Sequence, residues 1–336
     1  MIRVFDNGLM HVVVVIGLTL SLSGCYYMQA ARGQLEVMNK REPIDEVIDA
    51  SDTSAELAER LELVNEARQF SIDELLLPDN DSYRSYADIE RDYVVWNVFA
   101  APEFSLESKS WCFPVAGCVN YRGYFAEEKA RRKADQLKDD GYDVAVGGVA
   151  AYSTLGKFSD PVLNTMMRWE DVDLVAVIFH ELAHQELYVK GDSEFNESFA
   201  TAVEEFGIER WLSSRNQADE LSNYRERRDL RERLMQQAEE AREDLEAIYA
   251  ASTSNDQMRQ RKNGRLATLR SDLTAEIERS GREPPTWLDD DLNNARLASM
   301  SLYHGRLPEF RALFAECGDD FACFYERASE LADRDR

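Results

Sequence analysis

The chain has little positive charge for its size. Its 336 residues include 39 lysines and arginines against 64 aspartates and glutamates, which gives a net charge of −25. Nucleic acids and anionic lipid surfaces attract basic proteins, so we predict no nucleic-acid partner and no electrostatic binding to such lipids. An acidic surface usually promotes solubility, although it would also attract a basic substrate. A hydrophobic content of 44% and an aromatic content of 10% exclude wholesale disorder.

A convincing membrane-spanning segment is also lacking. The apolar stretch from Leu9 to Leu22 is too short for one, and it leads into Leu22-Ser-Gly-Cys25. Small residues before a cysteine at this place resemble the bacterial lipoprotein cleavage box, which implies that residues 1–24 are a signal peptide and that Cys25 carries lipid. Because Tyr26 is not acidic, the resemblance predicts an anchor in the outer membrane, facing the periplasm. The alternatives are a signal anchor or an ordinary secretory peptide, and each of them also exports the chain.

Cysteine is scarce and falls into two close pairs. Besides Cys25, four of the five cysteines remain, and five residues separate the members of each pair. That gap exceeds the two to four residues usual in zinc-binding cysteine pairs, so no cysteine zinc site is predicted. Export permits disulfides, and four cysteines allow three pairings. We predict the local pairs, Cys112 with Cys118 and Cys317 with Cys323, because each short loop brings its own partners together.

Histidine is scarce too, yet two of the four histidines stand close together in His180-Glu-Leu-Ala-His184. Residues four apart share one face of a helix, so both rings can reach one zinc ion. Glu181 would then lie beside the open coordination position and could take a proton from a bound water. The apolar run at residues 171–179 is typical of a buried helix, and residues 191–193 read as a stop and an N-cap. The alternative is a buried helix whose histidines only satisfy local hydrogen bonds.

A second helix, beginning after residue 193, carries the candidates for a third ligand. If the first helix ends near residue 188, His184 lies about 6 Å before its end and Glu197 about 6 Å into the second helix, so antiparallel packing brings them level. If the first helix runs to residue 191, the levels shift by about a turn and Glu204 competes. Thr201 and Glu204 share the face of Glu197, so each is also a candidate to support the ligands. We favour Glu197.

The rest of the pattern predicts an α+β fold that is mostly helical. Residues 26–90 read mostly as helix, and a turn cluster lies at residues 77–82. The predicted elements that follow are strands at 93–100, 111–125 and 143–154 and a helix at 127–140. A further helix is predicted at 286–303, and the final residues read as two short helices held by the last cysteine pair.

Residues 213–280 differ in character, being rich in charged residues, glutamine, leucine and alanine. We predict two long antiparallel helices that form a projecting hairpin arm. A solvated arm is the simpler interpretation, and an arm that docks a protein partner is the alternative. The predicted domains are therefore a peptidase-like domain at 25–212 plus 283–336 and the arm at 213–282.

Four motifs resemble those of a bacterial family of predicted zinc aminopeptidases with lipoprotein signals. They are the cleavage box, Trp-Cys-Phe-Pro-Val-Ala-Gly-Cys, Gly-Gly-Val-Ala-Ala-Tyr-Ser-Thr-Leu-Gly and Phe-His-Glu-Leu-Ala-His, and the likeness is strongest over residues 24–212. Asn196-Glu197-Ser-Phe-Ala is similar to the third-ligand segment of the gluzincin clan, which implies that Glu197 binds the metal. The gap from His184 to Glu197 is shorter than in well-known gluzincins, and Thr201 stands where thermolysin-like members have aspartate. The chain has no Gly-x-Met-x-Asn string, so peptidase activity is better supported than aminopeptidase specificity.

The resemblance implies a zincin-like core with a small sheet, a metal-binding helix pair and a peptide substrate. In zinc peptidases of this broad class, an edge strand before the metal helix pairs with the extended substrate. Gly147 and Gly148 suit that role because bare backbone can be approached closely, and Tyr152 is a further candidate to contact substrate. A tight bend or bulge without a ligand is the alternative for the two glycines.

The predicted chemistry is hydrolysis of peptide bonds with one Zn²⁺ per chain, held by His180, His184 and Glu197. Glu181 would act as the general base. A second donor would stabilise the oxyanion, and Tyr303 and His304 are the candidates, with ordinary packing as the alternative for both. The rival function is a non-catalytic envelope lipoprotein whose metal only staples two helices. Glu181 argues against the rival, because a structural site needs no carboxylate beside an open coordination position.

Overall fold

A computed structural model describes residues 26–113, 117–285, 287–290, 292–301 and 305–334, and it is mostly helical with small sheets. The predicted signal peptide, Cys25, Tyr303 and His304 lie outside these residues. The helices are α1 (residues 26–39), α2 (Ile44–Asp49), α3 (Ala55–Asp73), α4 (Glu127–Asp139), α5 (Asp171–Glu186), α6 (Ser193–Ser214), α7 (Ala218–Ala250), α8 (Asn255–Arg279), α9 (Trp287–Asp290), α10 (Asn294–Ser301), α11 (Leu307–Glu316) and α12 (Phe321–Arg334). None of the described helices combines the length and the hydropathy needed to cross a membrane.

The strands form three small sheets within the described residues. The strands are β1 (Arg41–Pro43), β2 (Ser85–Ala87), β3 (Val95–Pro102), β4 (Trp111–Phe113), β5 (Gly117–Val119), β6 (Arg122–Tyr124), β7 (Tyr142–Val149) and β8 (Val162–Leu163). Their orders are β1-β2-β8, β6-β3-β7 and β4-β5. The longest ladder is antiparallel and pairs β3 with β7 from Val95↔Val149 to Pro102↔Tyr142 without a bulge. It supports one side of the candidate site described below.

Several of these boundaries differ from the predicted elements. The stretch at 26–90 contains two strands besides its helices, and the stretch at 111–125 holds three short strands instead of one long one. The helix predicted at 286–303 is interrupted between α9 and α10. There the Asn294 side chain donates to the carbonyl oxygens of Pro102, Glu103 and Ser105, each at 3.0 Å. Asn294 is the first residue of α10, and its side chain satisfies backbone carbonyls of the segment at residues 102–105.

The helix pair α5 and α6 forms where the sequence predicted it. The apolar run of α5 is buried. The negative side chains of Asp171 and Asp173 in its first turn interact favourably with the positive end of the helix dipole. The chain then turns at Gly191, whose φ is 89°, a value that suits glycine. Asp192 caps α6 by accepting a hydrogen bond from the backbone N–H of Phe195 at 2.9 Å.

An aromatic cluster joins the carboxy-terminal helices to α6. Phe195 and Phe199 of α6 pack against Phe310 of α11 and Phe324 of α12, and all four side chains are buried. Ring pairs of this kind contribute beyond simple area burial. The disulfides are the predicted local pairs, Cys112–Cys118 and Cys317–Cys323, and the second of them links the end of α11 to α12. The last residues therefore brace the helix that carries Glu197.

The predicted hairpin is present as α7 and α8, but it does not project as an arm. Leucines along both helices form one buried cluster with residues 106, 288, 292 and 297 of the main body. The ammonium of Lys262 on α8 is buried, pairs with Asp143 at 2.6 Å and donates to the carbonyl of Glu103 at 2.9 Å. Tyr249 near the end of α7 donates to Asn294 at 2.7 Å. Charged side chains that the sequence suggested were solvated instead attach the hairpin to the end of the β6-β3-β7 sheet.

Candidate metal centre

His180 and His184 project from the same face of α5. Their ring centroids are 4.9 Å apart, and 12% and 9% of their side-chain surfaces are exposed. Glu197 of α6 directs its Oε2 atom to the Nε2 atoms of both rings, at 3.4 Å from His180 and 3.7 Å from His184. The three residues form a group that could hold a metal ion, because ligand atoms from all three lie within 4.8 Å of one another.

The loop between the two helices fixes the position of Glu197. Asn196, the preceding residue, is buried, and its side chain makes two hydrogen bonds to the backbone of Val189. Its Oδ1 accepts from the Val189 N–H at 2.7 Å, and its Nδ2 donates to the Val189 carbonyl at 2.8 Å. α5 ends at Glu186, close to the earlier of the two helix ends considered from the sequence. With this helix end, Glu197 rather than Glu204 lies level with His184 along the helix pair.

The spacing of the donor atoms fits a tetrahedral zinc ion. At a Zn–N distance of about 2.0–2.1 Å, two ligands of a tetrahedral site stand about 3.3–3.4 Å apart. The measured separations of 3.4 and 3.7 Å are close to this value, and they are long for direct hydrogen bonds. Two imidazoles and one carboxylate are also a common protein ligand set for zinc. The residues present therefore fit the ion.

Glu204 contacts the opposite side of the His180 ring. Its Oε2 atom lies 3.1 Å from His180 Nδ1, and Glu204 is on the same face of α6 as Glu197, about two turns farther along. A carboxylate in this place fixes the tautomer and the orientation of a metal-binding imidazole. Thr201 lies buried in the same wall of the site. Nδ1 of His184 is buried without a hydrogen-bond partner in the described part of the chain, so only one of the two rings is oriented by a described carboxylate.

Charge and burial shift the pKa values of Glu181, His180 and His184 strongly. Burial raises the pKa of Glu181 to about 8, and the neighbouring Glu197 adds to this while His180 opposes it. Burial alone would lower the pKa of His180, but the nearby carboxylates of Glu197 and Glu204 outweigh it and raise that pKa to about 10. Burial lowers the pKa of His184 to about 4. Three carboxylates thus crowd one buried site, and a bound cation would offset their repulsion.

The group opens into a large cleft with a volume of about 1570 Å³. Gly148 and Tyr152 lie in its wall, together with both histidines, Glu181 and Glu197. Gly147 lies outside the wall, and a Cβ at that position would stand 3.8 Å from the guanidinium of Arg296. The requirement for glycine at 148 has a packing cause, since a Cβ there would stand 2.4 Å from Cγ of Tyr93.

Two parts of the cleft wall were not anticipated. The first is α1, one face of which lines the cleft. The hydroxyl of Tyr152 donates a hydrogen bond to the side chain of Gln34 on that face. The spacing of apolar residues in 26–38 could have indicated a buried face, but not what it covers. The second is Tyr121, which lies in the wall between β5 and β6. Burial raises the pKa of Tyr121, and the carboxylates of Glu197 and Glu181, which line the same cleft, raise it further.

Acidic side chains in the described cleft wall are few. They are Asp173, Glu181, Glu197 and Glu204. Glu197 and Glu204 contact His180, and Asp173 pairs with Arg227 at 3.1 Å. Within the described wall, Glu181 is thus the carboxylate without an ion pair or histidine contact, and no further acidic residue stands ready to hold a substrate ammonium group.

Comparison with known proteins gives a family and no closer relative. No curated protein and no solved structure matches the chain. A family model described as "Putative aminopeptidase" matches residues 25–336, which is nearly the whole chain and includes the metal group, the sheet and the hairpin. The chain belongs to this aminopeptidase family.

Proposed function

We propose that the protein is a zinc-dependent peptidase of the bacterial cell envelope. The observation that carries the proposal is the convergence of His180, His184 and Glu197 beside Glu181 in the wall of an open cleft. A structural metal site is usually closed by protein ligands, whereas a catalytic site keeps one position open. The family membership supports hydrolysis of peptides.

The three ligands would hold the ion, and Glu204 would keep the His180 ring in place. When bound, zinc acts as a Lewis acid and lowers the pKa of water, which makes water a nucleophile near neutral pH. Glu181 would receive the proton from the attacking water and return it to the leaving amine. The positive charge of the ion would oppose the effect of burial on the Glu181 pKa, so this carboxyl would be ionised at neutral pH.

Stabilisation of the oxyanion requires a further hydrogen-bond donor in the cleft. Tyr303 and His304 remain predicted candidates for this role. Tyr121 is an additional candidate, because it lines the same cleft as Glu197 and Glu181. The raised pKa keeps the Tyr121 phenol protonated, as a donor must be.

The proposed location of the activity is based on the amino-terminal motif. Lipid on Cys25 would anchor the protein to the outer membrane, on its periplasmic side. α1 starts at the next described residue and lines the cleft, so the catalytic group would work close to the anchor. Peptides in the periplasm are the proposed substrates, and removal of an amino-terminal residue is the specificity that the family description suggests.

Glu181→Gln tests the proposal. The variant should still bind one zinc ion per chain, but kcat/KM on fluorogenic aminoacyl substrates and internally quenched peptides should fall by about 100-fold to 10,000-fold, the usual contribution of a general base. Glu186→Gln is the matched control, since Glu186 lies on the same helix outside the cleft wall and should leave the rate unchanged. Chelator should abolish wild-type activity. A wild-type protein that binds stoichiometric zinc and cleaves none of these peptides would favour the non-catalytic, metal-stapled alternative.

A further inference from the structure

Strand β7 forms an edge of the β6-β3-β7 sheet in the described structure. The carbonyl of Val149 accepts a hydrogen bond from the N–H of Val94 at 2.9 Å, so Val149 faces β3. The N–H and C=O groups of successive residues in a strand point to opposite edges, and those of every second residue point to the same edge. Val144, Val146 and Gly148 therefore present their N–H and C=O groups to the outer edge of the sheet.

Side chains from distant parts of the chain cover most of that outer edge. Asn293 donates its Nδ2 to the carbonyl of Val144 at 3.0 Å, and Arg296 of α10 donates its Nη2 to the carbonyl of Val146 at 3.2 Å. Just beyond the strand, the buried hydroxyl of Thr165 donates to the carbonyl of Ala150 at 2.6 Å. The carbonyls on either side of Gly148 are thus already bonded within the protein.

Gly148 lies between these covered positions and in the wall of the cleft that holds the metal group. It has no side chain, and the ring of Tyr93 occupies the space where a Cβ would be. Arg168 stacks on that ring, 4.6 Å from its centroid. No described residue bonds to the outward N–H and C=O of Gly148, and they lie in the wall of the cleft that holds the candidate metal centre.

We propose that Gly148 is the single main-chain docking point for substrate on β7, and that Asn293, Arg296 and Thr165 end the usable edge on both sides. This inference rests on the proposed function and specifies its substrate class. An extended peptide can pair one residue with Gly148, and on either side the carbonyl that its next paired residue would use is already bonded within the protein. The site therefore selects short peptides or chain ends, and a long extended polypeptide gains no additional backbone pairing.

Binding to the zinc-loaded Glu181→Gln protein tests the inference without requiring turnover. The ligands are alanine peptides from the dipeptide to the octapeptide, measured by isothermal titration calorimetry. The dissociation constant should improve over the first few residues and then stay constant within about threefold. N-methylation of each amide in turn should weaken binding by about threefold to tenfold at one position, the effect of losing one hydrogen bond. Affinity that climbs steadily with length, N-methylation costs at several positions, or no peptide binding at all would overturn the inference.

Arg296→Met provides a second measurement because it frees the Val146 carbonyl while keeping an apolar stem. Longer peptides should then gain about threefold to tenfold in affinity over the tripeptide, as one more hydrogen bond becomes available. Arg265→Met on α8 is the control, since Arg265 pairs with the exposed Asp244 and should change nothing. If Arg296→Met does not fold, the N-methylation series in the Glu181→Gln protein decides alone. Wild-type turnover of the same peptides is assayed separately, so a failure of the proposed function and a failure of this inference give different results.

Discussion

Glu197 and Glu204 both contact His180, and substitution of each by alanine should separate their roles. Glu197 lies 3.4 Å from Nε2 of His180 and 3.7 Å from Nε2 of His184, the spacing expected of metal ligands. Glu204 lies 3.1 Å from Nδ1 of His180, the ring nitrogen that Glu197 does not approach. One residue should therefore bind zinc directly, and the other should only orient a ligand.

The expected magnitudes differ accordingly. Loss of an orienting carboxylate usually lowers metal affinity by about 10-fold to 100-fold, which is about 1.4 to 2.7 kcal/mol. Zinc binding of about 10–16 kcal/mol in a structural site with four ligands suggests about 3 kcal/mol for each ligand. Glu197→Ala should thus weaken zinc binding by at least about 100-fold, and Glu204→Ala by less.

Competition with a chromophoric zinc chelator at neutral pH measures both dissociation constants. Glu186→Gln is again the control and should bind zinc as the wild type does. Glu204→Ala should still contain one zinc per chain at saturating metal, whereas Glu197→Ala should lose it on dialysis. The reasoning is refuted if Glu204→Ala binds zinc more weakly than Glu197→Ala, which would make Glu204 the ligand.

Two buried charges elsewhere give further predictions for urea denaturation. Lys262→Met should cost about 3 kcal/mol because it leaves Asp143 without its 2.6 Å partner, and adding Asp143→Asn should recover part of this; purely additive losses would contradict the pairing. Asp160→Asn should remove a pH dependence, since burial raises the pKa of Asp160 from 3.8 to about 6. The raised pKa costs no folding stability below about pH 4, where the carboxyl is protonated in both states, and about 3 kcal/mol above about pH 6. The free energy of unfolding of the wild type should therefore fall between these pH values. An equal fall in the variant would refute the assignment to Asp160.

The sequence was most informative where the geometry is local. The spacing of His180 and His184 on one helix and the short connection to Glu197 determine the metal group almost without the rest of the fold. Helical periodicity indicated α5 to α8 for the same reason, because the pattern that identifies a helix lies within the sequence of that helix. Sequence reasoning also placed Glu204 on the correct face, but it could not distinguish a ligand from a residue that orients a ligand. That distinction depends on which ring nitrogen the carboxylate reaches.

The sequence was least informative where one segment covers another. The hairpin carries enough charge to suggest a solvated arm, yet Lys262 is buried against Asp143, which lies 119 positions earlier in the chain. Tyr121 and α1 reach the cleft through contacts of the same long-range kind. Charge pattern and periodicity show that a helix has an apolar face, but they do not show which surface that face contacts.

The outer edge of β7 illustrates how function depends on such long-range contacts. From the sequence, the two adjacent glycines suggested an open edge for an extended substrate. Strand alternation supplies three outward-facing residues, and the structure shows Asn293 and Arg296, about 150 positions away, bonded to the carbonyls of two of them. The Gly148 position remains, and its glycine is required by the neighbouring Tyr93 ring rather than by any ligand. The glycine pair therefore includes the residue that we propose as the docking point, although its glycine has a packing cause that the sequence does not reveal. In that proposal, α10 and the residue before it limit the usable edge.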